Sequence, residues 1–264
     1  TSQLTFTPDF TVSWQFWSIA GNTNYNFMHK GMIDELRFWD YARSTGQIKN
    51  NMHKALPATT AGIIAYYNFN ASTGDVLEDQ STNDLDGLNM YMENTDWTTS
   101  YAPIASSTLA TYNNVRSTWT ASQTAESITS NGFTIRSTIN LNPNDFAVFG
   151  HDTGGADIVS SNLPNDVAIR YKRSWYLDEF GSVEGDLLFD LSTINAKSIT
   201  AGDPSGYKLL HRASTSEDFA IKATASSIES SDKVVFENIE LEDGHFTIGS
   251  TNAETSPLPV LVSP

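Results

Sequence analysis

The chain has 264 residues, of which 31 are acidic and 15 basic, giving a formal charge of −16, and it contains no cysteine. So negative a chain repels nucleic acid and anionic lipid, and with no apolar run near the roughly 20 residues of a spanning helix we expect neither nucleic-acid binding nor membrane insertion. Without cysteine, disulfides, thiolate metal sites and cysteine catalysis are excluded.

The first part of the chain alternates apolar and polar residues, the period of a half-buried strand. The pattern runs through residues 1–40 and is strongest from Met32 to Trp39. Ser44 and Gln47 form a capping box that predicts one short helix ending before Pro57. A further strand is predicted from Gly62 to Phe69, followed by a polar loop.

The second part reads as short strands separated by Gly, Asp, Asn or Ser, which favours a β-sandwich. The predicted strands are Phe133–Ile139, Phe146–Phe149, Val167–Leu177, Leu187–Leu191, Tyr207–His211, Lys233–Leu241 and His245–Ile248. The fold class predicted is all-β, with two β-sandwich domains. We expect a first domain at 1–104, a linker or the first strands of the next domain at 105–130, a second sandwich at 131–250 and a Pro-rich exit linker at 251–264.

Two segments of the first part resemble laminin-G-like, concanavalin A-type jelly rolls of bacterial surface proteins. The stretch Gly31–Trp39 with Tyr41–Ser44 resembles the closing strand of that fold, and Gly62–Phe69 with the loop Asp79–Gly87 resembles its Tyr-Tyr-x-Phe and Asp-x-Ser segment. A complete jelly roll needs more residues than 1–104. We therefore expect its early strands either to lie before Thr1, in a longer protein, or to be missing.

The second part resembles β-rich modules of surface proteins exported by the type IX secretion system of Bacteroidota. The resemblance lies in Phe146–Asp152, Arg170–Trp175 and Leu188–Ser192, and in the later pair Phe246–Gly249 and Pro257–Val260. It implies an extracellular or bacterial cell-surface location and an adhesive or glycan-binding role, including a part in gliding. The implied partners are a polysaccharide or glycoprotein surface and the secretion machinery or other surface proteins.

The polar loop after the second strong strand is the best candidate for a structural Ca²⁺ site. Asp79, Asn83, Asp84 and Asp86 supply oxygen ligands of the kind that Ca²⁺ prefers. The jelly-roll resemblance adds Asp34 to this set. The alternative interpretation is that Asp79 and Asp86 cap turns through bonds to the backbone.

A second acidic loop, with His151, Asp152 and Asp157 around a glycine pair, offers the same choice between a metal site and a sharp turn.

Motifs of catalysis are missing from the sequence. The Glu-x-Asp-x-x-Glu spacing of jelly-roll hydrolases does not occur, and Asp34-Glu35 and Asp178-Glu179 would place their acids on opposite faces of a strand. No Gly-x-Ser-x-Gly elbow, Walker loop or Gly-x-Gly-x-x-Gly is present. We predict that the chain is not an enzyme.

Aromatic residues offer stacking surfaces for sugars, with packing in the core as the alternative interpretation. Trp14 and Phe16 share one face, so Trp17 lies on the other, and Phe38 and Trp39 also oppose one another. Trp17 and Trp39 are the predicted ligand-binding residues.

Three functional hypotheses follow: a non-catalytic adhesion or glycan-binding module, a structural stalk that presents other domains, and an accessory region of a larger secreted glycoside hydrolase.

Overall fold

A computed structural model describes residues 21–22, 27–28, 31–90, 92–119, 127–139, 142, 144–155, 157–195, 201–230 and 232–258. Most of the regular structure in these ranges is antiparallel β-sheet, accompanied by two short α-helices. The predicted all-β fold class is thereby confirmed.

The strands, in chain order, are β1 Gly21–Asn22, β2 Phe27–Met28, β3 Leu36–Trp39, β4 Ile63–Tyr67, β5 Val76–Leu77, β6 Gly87–Leu88, β7 Asn113–Trp119, β8 Ile128–Ser130, β9 Phe133–Ile139, β10 Phe146–His151, β11 Ile158–Val159, β12 Ile169–Tyr171, β13 Trp175–Phe180, β14 Glu184–Asp190, β15 Tyr207–Arg212, β16 Ala220–Thr224, β17 Ser227–Glu229, β18 Lys233–Glu240 and β19 Gly244–Ser250. The α-helices are α1 Thr45–Asn51 and α2 Leu191–Asn195, and 3₁₀ turns occupy Asn94–Asp96, Ser107–Thr111 and Pro204–Gly206.

Two large sheets face each other as a sandwich. In the eight-stranded sheet, β19 pairs with β15 along one edge and with β12 and β13 along the other. Strand β13 continues to β10 and β7, β12 continues to β11, and β15 continues to β16. The five-stranded sheet has the order β17-β18-β14-β9-β8. Residues 105–130 therefore contribute β7 and β8, one to each sheet.

The core between the sheets is built from alternate residues of their strands, as the period of two requires. Trp175, Phe133, Phe149 and Phe189 are fully buried and their rings meet edge to face or tilted at 4.9–5.6 Å between centroids. The indole Nε1 of Trp175 donates to the backbone oxygen of Ser130 across the sandwich at 2.7 Å. This bond links β13 of one sheet to the end of β8 in the other.

Part of the predicted exit linker packs on the sandwich. Leu258 belongs to the core cluster, and the Tyr207 hydroxyl donates to the backbone oxygen of Pro257 at 2.8 Å. The Ser256 hydroxyl, fully buried, donates to the backbone oxygen of Asp203 at 2.7 Å.

The part before residue 104 contains three two-stranded sheets in the described residues, β1-β2, β3-β4 and β5-β6. Helix α1 begins where the sequence predicts, since Ser44 accepts from the Gln47 backbone and Gln47 accepts from the Ser44 backbone. The earlier alternating residues, including Trp17, lie outside the described residues.

Two predicted strands are shorter or interrupted. The strand expected from Met32 begins only at Leu36, because Glu35 has φ 54° and turns the backbone out of the extended conformation. The strand expected over Val167–Leu177 divides into β12 and β13. The hydroxyl of Thr247 in β19 donates to the backbone oxygen of Arg173 at 2.9 Å, within the interruption.

Two buried polar residues fasten the first part to the sandwich. The His53 ring contacts the backbone oxygen of Pro103 through Nδ1 at 3.0 Å and the Ser117 hydroxyl through Nε2 at 3.2 Å. The Lys54 ammonium donates to the backbone oxygen of Tyr112 at 2.5 Å. Burial lowers the pKa of His53, so a neutral ring donates from Nδ1 and accepts at Nε2.

Trp175→Phe is expected to lower the free energy of unfolding by about 2–3 kcal/mol, because it opens a cavity and leaves the buried Ser130 oxygen without its donor. Urea unfolding followed by circular dichroism measures this loss. Trp97→Phe, at a partly exposed tryptophan outside the sandwich core, is the matched control. Equal losses in the two variants would contradict the assigned role of Trp175.

His53→Gln is expected to reduce the acid sensitivity of the protein. Because the folded-state pKa of His53 lies below the ordinary 6.5, the unfolded chain binds the proton more readily. The stability from the neutral ring is therefore complete above about pH 6.5 and is lost as the pH falls from there towards the lowered folded-state pKa.

The measurement is the urea midpoint at neutral pH and at pH values below 6.5. The wild type should lose more between the two conditions than His53→Gln. His211→Gln, at a histidine in contact with Glu242, is the control and should show the same loss as the wild type. An equal loss in wild type and His53→Gln would overturn the assignment.

Candidate ligand-binding pocket beside helix α1

A pocket of about 200 Å³ lies between β3 and α1. Its wall from the strand side carries Arg37 and Trp39, alternate residues of β3 and so on one face, together with Glu35, which precedes the strand. The other wall comes from the turn before α1 and from the helix itself; its residues are Arg43, Gln47, Ile48, Asn51 and Met52. The capping box begins α1 at Thr45, shortly after β3 ends at Trp39, so helix and strand lie side by side at the pocket.

Arg37 links the strand side and the helix side of the pocket through hydrogen bonds. Its Nη1 donates to the backbone oxygen of Asn51 at 2.7 Å, and its Nη2 donates to Glu35 Oε2 and the backbone oxygen of Lys54, both at 2.5 Å. The carbonyl groups at the end of a helix carry partial negative charge, so the Arg37 cation interacts favourably with the end of α1. The Tyr66 hydroxyl also donates to Glu35 Oε2, at 2.6 Å, and burial raises the pKa of Tyr66 to about 12.

The Trp39 ring is not an open stacking surface, because it contacts apolar side chains and an arginine. One side packs against the cluster of Leu56, Ile63 and Tyr66, and the Arg43 guanidinium lies 3.8 Å from the ring centroid. A cation stacked this closely on an indole is held by the ring's negative face. A ligand in this pocket would therefore meet the Trp39–Arg43 pair.

Several polar atoms of the pocket remain open. Within the described ranges, Glu35 Oε1 and Asn51 Oδ1 have no hydrogen-bond partner, and Arg43 makes one hydrogen bond, from Nη1 to the Tyr41 hydroxyl at 2.7 Å. The exposed Ile48 and Met52 add apolar surface. The pocket thus combines an aromatic ring, apolar edges and both donors and acceptors.

The predicted calcium loop is held by hydrogen bonds centred on Asp79. Its Oδ1 accepts from the backbone of Tyr66 and Ser81, both at 2.9 Å, and its Oδ2 accepts from the Ser81 hydroxyl at 2.7 Å and the Leu85 backbone at 3.0 Å. These four bonds, acting against desolvation by burial, hold the pKa of Asp79 below its ordinary value. Asp86 Oδ1 accepts from the Asp79 backbone at 2.9 Å.

The oxygen atoms of this loop fit Ca²⁺ only in part, because the Asp79 carboxylate already accepts four hydrogen bonds. Asn83 donates to the backbone oxygens of Ile63 and Ile64, which leaves its own Oδ1, the exposed Asp84 and Asp86 Oδ2 as open oxygens. Asp34 accepts from the Glu35 backbone, and among the described residues no hydrogen bond joins it to this loop. No group of three or more His, Asp or Glu side chains arranged for a metal occurs in the described part. This geometry matches the turn-capping interpretation of Asp79 and Asp86.

The second acidic loop is likewise held by hydrogen bonds that an aspartate, Asp152, accepts. Asp152 accepts from the Gly154 backbone at 2.8 Å and from the Ser174 hydroxyl and backbone at 2.8 and 3.1 Å. His151 Nδ1 lies 2.6 Å from the backbone oxygen of Asp152. Burial lowers the pKa of His151.

The sequence predicted Trp39 but missed its neighbours in the pocket. Glu35, Arg37 and Trp39 recur every second residue, and Arg43 follows just before the capping box. Those two signals together would have indicated charged side chains gathered around Trp39.

Comparisons with family models, curated proteins and solved structures found no match to this chain, so its function must be inferred from its own residues. No helix in the described ranges is long and apolar enough to cross a membrane.

Asp79→Asn is expected to destabilise the protein by about 2 kcal/mol, because an amide presents a donor to the Leu85 backbone or the Ser81 hydroxyl in place of an acceptor. Chemical unfolding measures the change. Asp84→Asn, exposed in the same loop, is the control and should alter stability little.

The same pair of variants, unfolded in the presence and in the absence of calcium, tests whether the loop binds the metal. A calcium-dependent gain in the wild type that Asp84→Asn abolishes would support a cation at the open oxygens.

Proposed function

We propose that the chain is a non-catalytic glycan-binding and adhesive module of a secreted protein at the bacterial cell surface, and that the pocket beside α1 holds one sugar residue. The observation that supports this most directly is the combination in one pocket of the Trp39–Arg43 pair with the open oxygens of Glu35 and Asn51. Sugars present apolar ring faces and many hydroxyl groups, so a site for them needs both kinds of surface.

The size of the pocket limits the ligand. Pockets for drug-sized molecules have about 300–1,000 Å³. A volume of about 200 Å³ therefore suits a single sugar ring or a chain end. Hydroxyl groups would accept from Arg43 and donate to Glu35 and Asn51, while Ile48 and Met52 contact carbon atoms.

The resemblance to type IX-exported surface proteins supports the extracellular location and a polysaccharide or glycoprotein partner. In this proposal structural calcium, where bound, stabilises the loop from Asp79 to Asp86. Its ligands would come from the open oxygens of Asn83, Asp84 and Asp86, and it takes no part in chemistry.

A structural stalk is the second candidate, and a specific observation favours it. His53 and Lys54 are buried where the first part meets the sandwich, and they contact the Ser117 hydroxyl and the backbone oxygen of Tyr112. Contacts of this kind stiffen a chain against bending between its parts, as a presenting element requires.

The test is a glycan and polysaccharide binding screen on the recombinant chain, run with calcium and again with a chelator. A ligand of the pocket should bind about tenfold more weakly to Arg43→Ala, since the variant removes the guanidinium from Trp39. Lys49→Ala, an exposed cation on the same helix, is the matched control and should bind as the wild type does.

The screens with calcium and with the chelator distinguish the glycan-binding module from the structural stalk. Binding that survives the chelator and is lost in Arg43→Ala supports the pocket, and binding that the chelator abolishes assigns a role to calcium. A folded protein that binds no glycan in either arm contradicts the proposal and favours the stalk.

A further inference from the structure

One arginine of the pocket beside α1 keeps an edge of its guanidinium free. The Cζ atom of Arg43 lies 3.8 Å from the Trp39 ring centroid and 5.5 Å from that of Tyr41. Its Nη1 donates to the Tyr41 hydroxyl at 2.7 Å, and within the described ranges Nε and Nη2 have no acceptor. Both nitrogens are accessible to solvent. Arg43 therefore offers two parallel N–H groups at the wall of the pocket.

The surroundings of Arg43 hold its guanidinium in one orientation. The rings of Trp39 and Tyr41 both present their negative faces to the cation. Tyr41 is itself positioned, because its hydroxyl also accepts from Gln47 Nε2 at 3.4 Å. Its ring packs on Gly62, where φ is 78° and a Cβ atom would overlap the ring. A ligand at the free edge of Arg43 would therefore spend little free energy on ordering this side chain.

The positive charge of Arg43 has no partner within the protein. Arg37, the other arginine of the pocket, is paired with Glu35, which is the acidic residue among the described residues that line it. In the described part of the chain no carboxylate oxygen lies within 4.0 Å of an Arg43 nitrogen. In a chain with a formal charge of −16, the pocket thus carries one uncompensated positive charge. Such a charge favours a negatively charged ligand.

The pocket has a cationic end and an accepting end. Arg43 stacks on Trp39 at one end, whereas Glu35 and Asn51 are both hydrogen-bonded to Arg37 at the other. Trp39 and Arg37 are two residues apart in β3, which is roughly 6.5 Å along a strand. The open oxygens, Glu35 Oε1 and Asn51 Oδ1, belong to the accepting end.

We propose that the pocket beside α1 prefers an acidic sugar, a uronate residue whose carboxylate binds Arg43. Nε and Nη2 of Arg43 donate in parallel to the two carboxylate oxygens, the bidentate geometry that guanidinium groups favour. Hydroxyl groups on the opposite side of the sugar ring donate to Glu35 Oε1 and Asn51 Oδ1. This preference rests on the proposed function of the pocket, whose class of sugar it names.

A neutral sugar would use the pocket incompletely. A hydroxymethyl group in the place of the carboxylate accepts from one N–H of Arg43 and leaves its charge without a partner. Hydrogen bonds between two charged groups are roughly twice as strong as neutral ones. We therefore expect the uronate to bind at least tenfold more tightly than the neutral sugar with the same ring.

The experiment is an NMR titration of the recombinant chain with two uronates, methyl glucuronoside and methyl galacturonoside. Each is paired with its neutral counterpart, methyl glucoside or methyl galactoside, at an ionic strength held constant with chloride. The signals followed are the Nε–Hε group of Arg43 and the indole N–H group of Trp39. Saturable shifts of both signals are expected with a uronoside, at concentrations at least tenfold lower than with its neutral counterpart.

Three variants test the role of the guanidinium. Arg43→Ala should weaken uronoside binding at least tenfold and bring it close to that of the neutral glycoside. Arg43→Lys, which keeps the charge and loses the pair of parallel donors, should weaken it several-fold. Lys49→Ala, which removes an equal charge from an exposed position on the same helix, is the matched control and should bind as the wild type does.

The outcomes separate the preference from the proposed function. Equal affinities for a uronoside and its neutral counterpart contradict the preference and leave the sugar pocket standing, whereas no shift of Trp39 with any glycoside contradicts both. Sodium sulfate is the last titration, and sulfate that binds Arg43 as tightly as the uronoside would show a general anion site. A loss in Lys49→Ala as large as that in Arg43→Ala would show attraction by the surface charge alone.

Discussion

The hydrogen bond from the Trp175 indole to the Ser130 backbone spans the core on which the sandwich depends. A buried indole N–H requires an acceptor, and here the end of β8, brought against β13, supplies it. The rings of Phe133 and Phe189 then close around Trp175, at 5.5 Å each. This arrangement decides which residues of each strand face inward. It thereby also decides which ones, Arg170 and Arg212 among them, are left on the outer face.

The strands that could be predicted from the sequence are those whose apolar residues alternate or run together, such as β10 and β18. For β7 the sequence predicts only a linker or the first strands of the next domain, because Ser117 occupies one of the buried positions and contacts His53 there in place of an apolar side chain. The interruption between β12 and β13 could not be predicted from the sequence either. It depends on Thr247 of a distant strand, and no local pattern contains that information.

The predicted site residues show a related limit. Aspartate in a loop serves equally as a metal ligand and as an acceptor for backbone N–H groups, and the two roles share one sequence signature. Asp79, Asp152, Asp190 and Asp203 all accept from backbone N–H groups close by in the chain. Much of the acidic excess at turns therefore stabilises the loops of this fold. Trp39 could be proposed because alternation puts Phe38 and Trp39 on opposite faces of one strand, but only the fold places Arg43 over its ring.

Use of the carboxylates in this way has a consequence for the arginines. Arg136 on the five-stranded sheet has Glu229 as a two-pronged partner, and Arg37 has Glu35. Three arginines at the other sheet, Arg170, Arg173 and Arg212, have backbone carbonyls, which are dipoles and cannot neutralise a full positive charge. The same chain thus provides ion pairs where a cation is structural. At Arg170, Arg173 and Arg212 the backbone carbonyls hold the guanidinium groups in place, and the Asp152 carboxylate favours their charged form from beyond salt-bridge distance.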